Sequence, residues 1–144
     1  MPATPAASIG STALIATADA LLSETLGGPL TPAGRDRGAA YALRIALEAA
    51  VDAALTVQDA GLGDVRSMRA KLLCLRHYAG ADVARRVSAL WSGLSAGCKY
   101  HHDELGPSHT QVRAWRTAVE ALLAELDTSG ATRHVPQQRN AERA

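Results

Sequence analysis

The densest run of reactive side chains in this chain is Lys99-Tyr100-His101-His102-Asp103-Glu104. It sets a cation, a phenol, two imidazoles and two carboxylates in consecutive positions. An imidazole titrates near neutrality, and a neighbouring carboxylate can select its tautomer. His101 or His102 therefore reads as an acid–base group or an anion ligand. Glu104 or Asp103 would orient it, and Tyr100 or Lys99 would act as an electrophilic donor. The candidate catalytic set is Tyr100, His101, His102 and Glu104, and His109, just past Pro107, could join it. The competing reading is structural: His101 falls on an apolar helix face, where a half-buried histidine bonded to a carboxylate or carbonyl is ordinary.

Cysteine and histidine recur at a second spacing. Cys74-Leu75-Arg76-His77 and Cys98-Lys99-Tyr100-His101 both have the form Cys-x-x-His. Residues three apart share a helix face, so two such pairs suggest tetrahedral zinc. Helix length argues against a shared ion. If the two segments belong to antiparallel neighbours joined near Gly80, Cys98 sits roughly 25 Å along its helix from the turn, at about 1.5 Å per residue. His77 is beside that turn. No metal is therefore expected, and no cofactor. Two cysteines are also too few for a disulfide scaffold, which favours reduced thiols and a cytoplasmic setting.

Anion chemistry is suggested by charge distribution. The total is near balance, 15 Lys+Arg against 14 Asp+Glu for a net +1, which excludes a generally polycationic nucleic-acid binder. The charges are segregated, however. Residues 1–63 carry −3 and residues 100–144 carry −1, while residues 64–99 carry seven basic and two acidic groups, net +5. Arg69 and Arg76 are seven apart, two helical turns, and so stack on one edge of their helix. With Arg85, Arg86 and Lys99 they form the candidate site for an acidic partner, RNA or another planar anion. The alternative is a solvated helix edge paired with acidic neighbours.

The elements that must position these groups are helical. In 144 residues, 47% are hydrophobic but only 3% aromatic, and Phe is absent, so the core must be aliphatic. Apolar spacing predicts five helices. The first spans Ser8–Leu26, capped by Ser8 or Ser11. The second spans Pro32–Ala60, with the stripe Ala40, Leu43, Leu47, Ala50, Val51, Ala54 and Val57. The third is capped by Asp64 and runs to about Tyr78. Leu73 lies off its stripe, which implies contacts over a wide arc. The fourth is capped by Asp82 and carries the cleanest row: Val83, Val87, Leu90, Leu94, Cys98, His101 and Leu105. Ser108-His109-Thr110-Gln111 has capping-box spacing and opens the fifth. Short links imply an antiparallel bundle over residues 8–127, with residues 128–144 as a disordered tail. No stretch approaches the ~20 apolar residues of a membrane span.

Gly93 and Gly97, with Ser92, Ser95 and Ala96, give the fourth helix a small-residue face. Each glycine costs about 1 kcal/mol there relative to alanine. The return for that cost is close approach of another helix, from this chain or a second subunit, or room for a ligand. Gly93, Gly97 and Trp91 are thus candidate interface residues, and a homo-oligomer is expected.

Arg69-Ala70-Lys71-Leu72-Leu73-Cys74-Leu75-Arg76 and the stretch from Trp91 to Trp115, with LSAGCKYHHDELGPSHTQVRAW, resemble a group of small helical actinobacterial proteins. In that group a Cys-x-x-His-His segment precedes a Glu-Leu-x-Pro turn and a Trp-bearing helix. The resemblance covers about residues 64–126. The architecture also resembles the HEPN superfamily, helical bundles of toxin–antitoxin and defence systems, many of them RNA-cleaving dimers. That family's catalytic signature is an Arg followed four to six residues later by a His. Arg85 and Arg86 meet no His before His101, and the next His after Arg69 is His77, eight residues later and beyond that spacing. The resemblance therefore implies a non-catalytic, dimeric interaction module in a regulatory or defence system. The alternative from the residues alone is a small bundle enzyme using His101, His102 and Glu104 on a small molecule.

Overall fold

The computed structural model describes residues 6–23, 30–99 and 106–133. Five helices account for nearly all of them: α1 (Ala6–Leu22), α2 (Pro32–Gln58), α3 (Met68–Ala79), α4 (Ala81–Cys98) and α5 (His109–Arg133). A single 3-10 turn, Ala60–Asp64, follows α2, and no strand occurs among the described residues. No described helix is long and apolar enough to cross a membrane.

Local chemistry explains the boundaries. Thr31 caps α2, its side chain accepting from the Gly34 amide at 3.0 Å, and Pro32 occupies the first turn, where a missing N–H costs nothing. Ser108 caps α5 by accepting from Gln111 N at 3.1 Å, as its spacing predicts. Three other expected caps are corrected. Asp64 belongs to the 3-10 turn, and Ser67 caps α3 instead. Asp82 lies inside the first turn of α4 and pairs with arginines, while Gly80, with φ of 95°, makes the corner between α3 and α4. α1 already begins at Ala6, so neither Ser8 nor Ser11 caps it; Ser11 is buried and donates to the Ala46 carbonyl at 3.3 Å.

α2 is the central helix and packs against all the others. This is why its buried set exceeds one stripe: Ala39, Ala42 and Ala46 are buried along with Ala40, Leu43, Leu47, Val51 and Leu55. The alanines let α1 approach closely, with Leu21 against Gly38 and Ser11 against Ala46. Val57, at the end of the predicted row, is exposed, although Leu55, two residues before it, is fully buried. The pairings Ser11–Ala46, Trp91–Glu48, Asp36–His109 and Arg86–Glu125 give the directions. Together with Gly38 and Gly97, they show α1 and α4 running opposite to α2 and α5. Leu75 of α3, Val87 and Leu94 of α4, and Val112 and Val119 of α5 complete the fully buried set.

Three further expectations change. Of the row predicted from Val83 to Leu105, the part as far as Cys98 lies in α4 and Lys99 is extended, its amide turning back to Ala96 O, while His101 and Leu105 lie outside the described residues. At this end of α4 the ring of Trp115 and Pro107 lie against Gly97. At the other end, α5 continues to Arg133, past the predicted boundary at 127. Apolar periodicity reports burial, and a helix can outlast its buried face. Lastly, Leu73 does not enlarge the buried face of α3. It is 65% exposed, on a side of α3 away from its buried residue Leu75.

Candidate functional site

The off-stripe leucine lies in a groove between α3 and α4. Arg69, Leu73 and Arg76 of α3 and Arg85, Ser88 and Trp91 of α4 line an open depression of about 400 Å³. Leu72, Ala81, Ala84 and Ser92 complete its walls. The two helices are joined by Gly80 alone, and Arg69, Arg76 and Arg85 line the valley between them. Arg69 and Arg76 are exposed, and neither engages a carboxylate among the described residues. Arg85 is 77% exposed at its side chain and shares Asp82, at 2.7 Å.

The other predicted cations separate from this group. Arg86 turns to α5 and donates to both carboxylate oxygens of Glu125 at 2.5 and 2.7 Å, and to Asp82 at 3.0 Å. The bond to Glu125 raises the Arg86 pKa above its ordinary value, and the same bond lowers the pKa of Glu125. Arg86 is thus a strut between α4 and α5 rather than a groove cation. Lys99 is exposed at the end of α4, seven residues and roughly 10 Å beyond the last groove residue, Ser92, at the helical rise.

The small-residue face has an occupant within the chain. The Trp115 indole lies over Gly93 and Gly97, so close that a β-carbon at Gly97 would fall 2.9 Å from the ring. Helix–helix contact is what the glycines permit, and within the chain that contact is made by α5. Trp91, the third expected interface residue, is half-buried and donates through Nε1 to Glu48 at 2.8 Å.

Tyr100, His101, His102 and Glu104 lie outside the described residues. Cys74 and Cys98 are free thiols. Burial pushes the Cys98 thiol pKa up, against the opposing influence of Arg44. His77 is exposed with its ring edge-on to Tyr78, and no group of three His, Cys, Asp or Glu side chains could hold a metal among the described residues.

A different histidine has a built environment. His109 opens α5, and its Nδ1 lies 2.9 Å from Oδ1 of Asp36 in α2, a carboxylate whose residue is only 9% exposed. The carboxylate can only accept, so His109 donates from Nδ1. Its Nε2 then faces Nη1 of Arg113, one turn along α5, at 3.5 Å. These groups line an open cleft of about 520 Å³ with Arg35, Pro32 and Leu22. Sequence spacing did not reveal this pair, because 73 residues separate its members. The available signal was an aspartate placed among buried alanines near the start of an amphipathic helix.

No protein-family model, no curated protein and no solved structure matches the chain.

Proposed function

We propose that this protein is a helical interaction module whose α3–α4 groove receives an acidic, amphipathic segment of a partner protein. The observation that carries the reading is Leu73, exposed between two arginines, Arg69 and Arg76, that have no carboxylate partner among the described residues. An exposed leucine beside Leu72 and Trp91 supplies an apolar floor, and the arginines supply a cationic rim. A helix with leucines on one face and glutamates flanking them complements both. RNA would use the arginines but has less use for the leucine floor. The HEPN-like resemblance supports the same reading, as a regulatory or defence module without the family's nuclease signature.

The test is fluorescence anisotropy with a labelled amphipathic Leu/Glu helical peptide, its Leu/Lys counterpart and a single-stranded RNA. The Leu/Glu peptide should bind, more weakly as salt rises. Arg69→Ala/Arg76→Ala should weaken it at least tenfold, and Leu73→Ala severalfold. RNA binding stronger than the peptide's, with no effect of Leu73→Ala, would transfer the groove to nucleic acid and overturn the proposal.

A further inference from the structure

Resting on the groove reading above, we infer that the acidic segment received by the α3–α4 groove is the outer face of α5 on a second copy of this chain, so that copies associate head to tail. A second groove of about 450 Å³ runs between α1, α2 and α5. Its floor is apolar, with Ile15 of α1, Ala50 of α2, and Leu123 and Ala124 of α5. The charged residues along it are Asp19, Glu120 and Asp127 against Arg116, a net −2. Arg116 is already held by Asp19 and Glu120, whereas Asp127 is exposed and engages no cation among the described residues. The α3–α4 groove has the opposite character: Arg69, Arg76 and Arg85 line it, and no carboxylate does.

The two faces match in spacing as well as in sign. On α3, Arg69 and Arg76 stand seven residues apart with Leu73 between them. On α5, Glu120 and Asp127 stand seven apart with Leu123 and Ala124 between them. Seven residues are two helical turns, about 10 Å along either axis, so each set lies on one helix edge. Two such edges laid side by side, in either direction, bring both arginines to both carboxylates and set Leu73 on the apolar floor beside Leu123. Leu73 is 65% exposed within its own fold, so the α5 face that covers it belongs to another copy. Donor and acceptor are different surfaces, which makes the contact heterologous: it closes into a ring or propagates. Two charge pairs and one leucine make a small contact, of the transient and salt-sensitive kind.

The experiment is sedimentation velocity of the whole protein from micromolar to near-millimolar concentration, at low and high salt. The parent should associate as concentration rises and dissociate as salt rises. Arg69→Glu/Arg76→Glu and Glu120→Lys/Asp127→Lys should each be monomeric alone. An equal mixture of the two should regain association, because each variant then meets a face of opposite sign on the other. Arg116 keeps Asp19 when Glu120 is replaced, so the α1–α5 strut survives the second variant. Leu73→Ala should weaken association severalfold with every charge in place. The labelled Leu/Glu peptide should still bind Glu120→Lys/Asp127→Lys, whose α3–α4 groove is unaltered. A parent that stays monomeric while the peptide binds, or a mixture that stays monomeric, would overturn this inference and leave the groove reading standing. Failure of the peptide to bind the parent would overturn both.

Discussion

At the scale of single residues, the two glycines of α4 separate conformational cost from contact. Gly93 sits in the interior of α4, where alanine is favoured by up to about 1 kcal/mol, and Gly97 in its last turn, one residue before the end at Cys98. At Gly93 an added β-carbon would meet Trp115 at 3.4 Å, ordinary contact, whereas at Gly97 it would meet the ring at 2.9 Å. The indole is rigid, so the ring or the helix must move. Gly93→Ala should therefore be neutral or stabilise by a few tenths of a kcal/mol, and Gly97→Ala should destabilise by ~1–3 kcal/mol, as overpacking does. Urea unfolding of the two variants checks the difference in sign. The sequence shows that these positions are small, but Trp115 lies 18 residues beyond Gly97 and nothing in the spacing names it as the reason.

Between elements, the struts are ionic. Arg86 joins α4 to Glu125 of α5, Lys71 joins α3 to Asp52 of α2 at 2.7 Å, and Arg116 joins α5 to Asp19 of α1. The Glu125 carboxyl has a pKa lowered in the folded state, chiefly by its hydrogen bond to Arg86. A lowered carboxylate favours folding above the unfolded value, near 4.3, and that contribution is lost as pH falls through the folded value. Glu125→Gln should therefore be less stable than the parent at pH 7, with the gap closing below about pH 4. Because both side chains are exposed, the gap should be small and should shrink in high salt. Thermal melts across that pH range measure it. Charge segregation along the chain was legible beforehand. Which arginine crosses to another helix was not, since Arg85 and Arg86 are adjacent in sequence and yet point to the groove and to α5 respectively.

For the whole molecule, α2 is the element on which cooperativity depends. Leu47 is fully buried in the middle of a helix that touches every other one. Leu47→Ala should cost ~2–5 kcal/mol and shift the single unfolding transition of the entire bundle, not of one helix. Calorimetry showing a separate early transition would contradict a central role. By the same logic Arg69→Ala/Arg76→Ala, on the outer face of α3, should leave the melting temperature within the range of ordinary surface changes, about ±0.5 kcal/mol.

The sequence by itself determined the class and most of the elements. An aliphatic composition at helical spacing permits little else, and local signals such as Thr31-Pro32 and Ser108–Gln111 carry their own caps. It also marked the basic α3–α4 segment, because adjacent elements joined by one residue cannot lie far apart. Only the tertiary structure decided which faces meet. It seated Trp115 on the glycines, left Leu73 uncovered, and brought Asp36 to His109. Periodicity says which side of a helix avoids water, but every apolar face resembles every other, and choosing among them depends on side-chain shapes across long stretches of chain.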